Sequence, residues 1–226
     1  MNMLMRFAKT AVRNSRLLRL AAHVVRPYNA IYHRDYYAET VEEPARQSAT
    51  VMAASMIDAF KSRTIVDVGC GTGALLEAFR QMGCAVFGLE YSDAALAYCR
   101  QRGLPVKKFN IVKDNIEGSF DLAVSFEVGE HLAPWSVDRY VTLLCSLSSL
   151  VVLSAATPGS GGTDHINEQL PSYWINKFGE KGYTFDQDAA ARLSQKWKKD
   201  NSVAYWYSDN IMVFRRHGLS ASVGSA

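Results

Sequence analysis

His131 and His165, each set among carboxylates, are the side chains best suited to accepting a proton near neutral pH. His131 closes the run Glu127-Val128-Gly129-Glu130-His131, and His165 lies in Asp164-His165-Ile166-Asn167-Glu168 behind a glycine-rich stretch, 159–162. An oxygen or nitrogen that gains a substituent must lose a proton. Two such segments brought together could therefore hold a general base, with Glu130 beside it. A second chemistry is written in 66–73, Val-Asp-Val-Gly-Cys-Gly-Thr-Gly. An apolar run that stops in alternating glycines, with a helical pattern over 74–82 behind it, leaves backbone N–H groups at a helix start and lets a ligand lie against the main chain. That combination reads as a nucleotide-type cofactor site. Its third glycine comes one residue sooner than in the dinucleotide fingerprint that seats a pyrophosphate.

These residues need strands that end side by side. The apolar run 85–89 leads into Glu90-Tyr91-Ser92, a carboxylate about 20 residues past the glycines, where ribose hydroxyls are accepted. A third run closes at Phe109-Asn110, a fourth, 120–126, at Glu127, and a fifth spans 150–154. Residues 183–185 and 210–216 read as a closing strand pair. Strand ends on one edge of a parallel sheet converge on the ligand crevice, so the loops after the fourth and fifth strands should face each other, making Glu130, His131 and His165 neighbours. The 159–162 glycines let the second loop move, and Tyr173-Trp174 could supply an aromatic wall.

With the glycines, Glu90 and Asn110 in register, residues 64–216 resemble the class I S-adenosylmethionine-dependent methyltransferases. The resemblance implies an α/β, Rossmann-like doubly wound sheet, mostly parallel with an antiparallel last strand, and S-adenosyl-L-methionine as cofactor. Matched by position, Asp67, Gly69, Gly71 and Gly73 would hold its methionine part and ribose. Glu90 would take the ribose hydroxyls with Tyr91 flanking the adenine, and Asn110 would meet the adenine amino group. Cys70, Phe126 and Glu127 complete the implied cofactor contacts. An NAD-binding domain competes less well, because of the glycine spacing and the closing strand pair. His131 and His165 become the candidate bases, with Glu130 beside them. The Glu-x-x-Glu-His run is also similar to that of ubiquinone-type O-methyltransferases and of small-RNA 2′-O-methyltransferases. That likeness implies a divalent metal on Glu127, Glu130, His131 and His165 as the alternative to a metal-free base. The stretch 161–174 resembles a loop of uncharacterised bacterial methyltransferases associated with glycan or small-metabolite modification. It points to a small-molecule or saccharide acceptor, with RNA ends second, and a non-catalytic S-adenosylmethionine-binding module is the reading outside enzymes.

At 226 residues and 48% hydrophobic content, the chain suits one α/β domain with an appendage. The expected division is 1–60 as cap, 61–217 as catalytic domain and 218–226 as a disordered tail. Cys70, Cys84, Cys99 and Cys145 show no C-x-x-C spacing and no secretory leader precedes them, which fits a reducing cytoplasm. The uncharged run 141–156 is too short to span a membrane and divides into a helix end and the fifth strand. Six basic and no acidic residues lie in 1–26, so the rest of the chain carries a net −3. Leu4, Phe7, Ala8, Ala11, Leu18, Ala22 and Val25 gather on one side of a helix there, most of the basic residues on the other. Such a helix packs on the domain, touches anionic membrane or serves as a transit peptide. Nucleic acid is a poor partner, since no aromatic-basic interleaving follows. Tyr28, Tyr32 and Tyr36 recur every fourth residue, which predicts one helix face, and Tyr37 follows. In the resembling family this segment often covers the cofactor, so 28–37 is the expected lid. A helix over 43–60 follows, from which Gln47 would face the methionine end.

Overall fold

The apolar runs stop abruptly at turn residues, and the strands of the computed structural model stop with them. The structure describes residues 28–218; the basic helix expected within 1–26 and all but the first residue of the expected tail lie outside them. Strands β1 (Thr64–Val68), β4 (Leu122–Phe126) and β5 (Leu150–Ser154) are almost wholly buried, as central parallel strands covered on both faces must be. With β2 (Ala85–Glu90), β3 (Val106–Lys108), β6 (Tyr183–Phe185) and β7 (Met212–Arg216) they form one sheet in the order β3-β2-β1-β4-β5-β7-β6. The first five strands run parallel, and β7 is antiparallel to both β5 and β6. The edge strand β3 is three residues long and carries Lys107 and Lys108, a common guard against edge pairing.

The N-terminal part is α1 (Tyr28–Ile31), α2 (Arg34–Tyr36), a π-helical turn (Tyr37–Val41) and α3 (Glu42–Phe60). From Arg34 to Phe60 these run on as one rod, while the chain breaks at His33, whose Nδ1 caps the N–H of Tyr36. The tyrosines are therefore not on one continuous helix, as their spacing predicts. Their rings still meet, with centroids 4.3 Å apart for Tyr28–Tyr32 and 5.3 Å for Tyr32–Tyr36. Next come α4 (Ala74–Gln81), α5 (Asp93–Gln101), α6 (Val137–Leu147), α7 (Pro171–Gly179), α8 (Gln187–Lys198) and α9 (Tyr205–Asn210).

One face of the sheet packs on α3, α4 and α8, through Met52, Met56, Phe79, Leu193 and Trp197. Trp197 donates its indole N–H to Ser55 Oγ at 2.7 Å, tying α8 to α3. The other face packs on α6 and α7 through Tyr140, Leu144, Trp174 and Phe178. Residues 42–60 thus belong to the main core, and among the described residues 28–41 form a cap over it. The order of the strands reverses between β1 and β4, and their carboxyl ends open the crevice where ligands settle in such sheets. No helix among the described residues is long and apolar enough to cross a membrane.

Candidate active site

Three glycines after β1 take left-handed conformations, at φ 80° for Gly69, 54° for Gly71 and 79° for Gly73. A Cβ at Gly69 would lie 2.5 Å from Val128, and one at Gly73 2.5 Å from Leu104, so both are needed for packing. At Gly71 a Cβ would meet nothing within 4 Å, because that residue forms part of a cavity wall. The buried carboxylate of Glu90 closes the loop. Its Oε2 accepts the N–H of Gly71 at 2.9 Å, and its Oε1 accepts those of Tyr91 and Ser92, both at 2.7 Å. Burial raises its pKa, and these donors oppose the rise. Asp67, beneath the loop, is pushed up to about 8, first by burial and then by the charge of Glu90.

On the other side of the crevice β4 ends at Glu127, whose φ of 53° is strained for a side chain with a Cβ. A single 3-10 turn, Gly129–His131, follows and rests on Trp174; a Cβ at Gly129 would lie 2.5 Å from that ring. Glu130 is fully buried and neither of its carboxylate oxygens has a hydrogen-bond partner. Burial, then the charge of Glu127, holds its pKa well above the carboxylate range, and the backbone at Glu130 and Ala156 eases this. Burial raises Glu127 too, eased by Ser154. The second loop is fastened here by its main chain, since the N–H groups of Ile166 and Asn167 both donate to the Glu130 carbonyl, at 3.0 and 2.9 Å.

That fastening sets His165 against His131, with ring centroids 4.9 Å apart. His131 Nδ1 lies 2.8 Å from the Tyr32 hydroxyl and 3.3 Å from the Asp164 carbonyl. His165 Nδ1 lies 3.2 Å from Glu168 Oε1, and the same carboxylate accepts N–H groups of Gly159 and Gly161, both at 2.9 Å. Acceptors at both Nδ1 atoms favour a proton there and leave Nε2 as the basic nitrogen of each ring. One ligand atom each from Glu130, His131 and His165 lie within 4.8 Å of one another.

A cavity of about 800 Å³ joins the two halves. Of the sequence-predicted residues, Gly69, Gly71, Glu90, Tyr91, Asn110, Phe126, Glu127, His131 and His165 line it. Asp67, Cys70 and Gly73 do not; they support the loop from behind, with Cys70 against the Gly88 backbone of β2. Glu130 likewise sits behind the wall. Tyr28, Tyr32, Tyr36 and Tyr37 reach the cavity from the cap, as expected of a lid. Gln47 does not: it is exposed and bonds Glu43 at 2.7 Å, because the helix phase turns it outward. Trp174 forms no part of the wall either, being enclosed beneath Gly129, and Tyr173 packs on Trp174. Missing from the sequence reading were Trp135 and the Tyr205-Trp206-Tyr207 run of α9, which line the cavity. Trp135 is 65% exposed and Tyr205 70%. For residues 205–207 the only signal in the chain is aromatic density just before the last strand, and Trp135 has none.

Residues 66–144 match the family model of a methyltransferase domain. Over these residues the chain is similar to the class I S-adenosylmethionine-dependent methyltransferases. A ubiquinone biosynthesis O-methyltransferase of Pseudomonas paraeruginosa is 30% identical over 139 residues, 56% of this chain and 60% of that protein. One from Methylococcus capsulatus is 35% identical over 101 residues, 41% and 43% of the two chains. The matches thus span about half the length of these relatives. The S-adenosylmethionine-bound amino pentose methyltransferase of calicheamicin biosynthesis from Micromonospora echinaspora shares the fold, with a TM-score of 0.61 at 17% identity over 84% of this chain and 98% of that one. S-adenosylmethionine is the ligand bound in that neighbour. The glycine cradle, open at Gly71, and the buried Glu90 carboxylate suit it.

Proposed function

We propose that this chain methylates a hydroxyl oxygen of a small-molecule or saccharide acceptor, with His131 or His165 taking the hydroxyl proton. The observation that carries the reading is the pair of imidazoles, 4.9 Å apart, on the wall of the cavity that also contains Gly71 and Glu90. S-adenosylmethionine supplies a methyl on a sulfonium, already activated for in-line displacement. The chain contributes alignment, exclusion of water and a place for the proton. Glu90 and the backbone at Gly69 and Gly71 hold ribose and methionine, Tyr91 and Asn110 hold the adenine, and Asp67, Cys70 and Gly73 shape the loop. Phe126 and Glu127 border the methyl end, and the tyrosine cap closes over it. Of the expected 1–60 cap, α3 packs into the core of the catalytic unit 61–217, which leaves 1–41 as cap and 218–226 as tail.

Two features support the acceptor class. The curated relatives are named for O-methyl transfer. Among the described residues lining the cavity Lys113 is the one lysine or arginine, against Glu90, Glu127 and Asp209, a poor surface for phosphate-bearing RNA ends.

Glu130 favours a second reading, a divalent cation on Glu130, His131 and His165 with Glu127 nearby. Mixed carboxylate and imidazole donors suit such an ion, and metal-bound histidines commonly donate their other N–H to a carboxylate or carbonyl. The test is turnover of methyl-labelled S-adenosylmethionine on a panel of phenols, catechols and sugars, read by mass spectrometry, with EDTA added once an acceptor is found. A histidine base predicts indifference to EDTA and a 10²- to 10⁴-fold fall in kcat for one His→Ala variant with cofactor affinity kept. Loss in EDTA, restored by Mn or Mg, with equal defects in Glu130→Gln and both histidine variants, would establish the metal instead. Cofactor binding without turnover on any acceptor would leave a binding module.

A further inference from the structure

Tyr32 is remote in sequence from the strand-end loops and lies between them in space. Its backbone carbonyl accepts from Ser92 Oγ at 3.1 Å, and the Ser92 N–H is one of the donors to Glu90 Oε1. Its hydroxyl crosses the crevice to sit 2.8 Å from His131 Nδ1 and 3.3 Å from Asp164 Oδ2. A phenol has one proton to give, and an ionised carboxylate can only accept, so a hydroxyl that donates to Asp164 must accept from Nδ1. The Asp164 carbonyl, 3.3 Å from the same nitrogen, is also purely an acceptor. With the hydroxyl proton donated to Asp164, both neighbours favour a proton on Nδ1 and so place the lone pair on Nε2.

We propose that Tyr32 is a positioning residue that holds His131 in its Nδ1–H tautomer, so that the base is set only while the cap is seated on the Glu90 loop. The inference rests on reading His131 as the proton acceptor. Without Tyr32 the ring keeps the Asp164 carbonyl but loses its nearer partner, and the two neutral tautomers come closer in population.

The experiment uses the full chain labelled with ¹⁵N-histidine, at a pH where the ring is neutral. Long-range ¹H–¹⁵N correlations separate the tautomers, and His131→Gln identifies the signals. The native protein should show His131 mainly as Nδ1–H. Tyr32→Phe, which removes one oxygen, should lower the Nδ1–H to Nε2–H ratio by roughly three- to tenfold, the range of one hydrogen bond. kcat should fall by a similar factor, with S-adenosylmethionine affinity by calorimetry within about twofold, since one hydrogen bond is lost and it lies off the Glu90 loop. Native Nε2–H, or an unchanged ratio in Tyr32→Phe, overturns the proposal. Should Tyr32→Phe not fold, Asp164→Gly removes the carboxylate at a residue whose φ of 59° suits glycine, and the ratio should again fall. No shift there is equally fatal. The two readings fail separately: a shifted ratio with full activity in His131→Ala removes the base from His131 and Tyr32's role with it, whereas a dead His131→Ala with an unmoved ratio keeps the base and sinks Tyr32.

Discussion

The crevice has two walls that solve burial of charge in different ways. On the β1–β2 side the enclosed carboxylate of Glu90 receives three backbone N–H groups, and the left-handed residues beside it are glycines, which adopt that conformation at little cost. On the β4–β5 side Glu130 is enclosed with no N–H or O–H donor on either oxygen, and Glu127 and Asp164 hold positive φ alongside Gly159, Gly161 and Gly162. Buried polar groups are nearly always satisfied, and non-glycine residues seldom keep positive φ, so both departures fall on the wall that carries the proposed base. The first wall is a finished receptacle. The second is held ready by its neighbours.

Glycine replacements should separate the walls most sharply. Gly71→Val places a branched side chain into the cavity from a left-handed residue, and S-adenosylmethionine affinity should fall by at least about 100-fold, or about 2.7 kcal/mol, in calorimetry. The circular dichroism spectrum should not change, because nothing lies within 4 Å of the new Cβ. Affinity within threefold of native would show that the loop is structural only. Gly129→Ala is the counterpart. Its Cβ would lie 2.5 Å from Trp174, so the His131 turn must shift. Stability should drop by about 1–3 kcal/mol, as overpacked cores do, and kcat by roughly tenfold with cofactor affinity kept. A variant that binds the cofactor poorly but turns over normally would reverse the assignment of the walls.

The smallest effect concerns pH. Asp67 titrates near 8 in the folded protein and near its ordinary value when unfolded. The folded state therefore keeps a proton that the unfolded state has lost. The stabilisation it brings is complete in acid and disappears as pH rises through about 8, at up to ~1.4 kcal/mol per pH unit. Glu127 and Glu130 are also raised and add to the same trend from the opposite wall. In urea titrations at pH 5 and pH 8 without cofactor, Asp67→Asn should lose less stability between the two than the native protein. Equal losses would mean that the cofactor wall contributes nothing to the slope.

The same contrast explains what could be read from residue order. The glycine loop, Glu90 and the 150–154 strand were legible because each is a local pattern: an apolar run, a turn residue, a fixed spacing. The facing of His131 and His165 followed from topology alone. Trp174 was misassigned to the wall, since nothing local shows that its ring fits under a glycine 45 residues away. Gln47 was misplaced because a weakly amphipathic helix does not fix its own phase. Glu168 lay in a recognised loop, yet its part in orienting His165 depends on a side-chain contact that no spacing rule foretells.

The π-helical turn at Tyr37–Val41 bears on how this chain could vary over generations. Each residue of an α-helix advances the chain by about 100° around its axis, and a π turn accommodates an extra one without breaking the rod. Removing a single residue there would restore regular winding while swinging everything ahead of it about a quarter-turn, carrying Tyr32 away from His131. The exposed Ala38 and Glu39 are open to drift, but the number of residues is not.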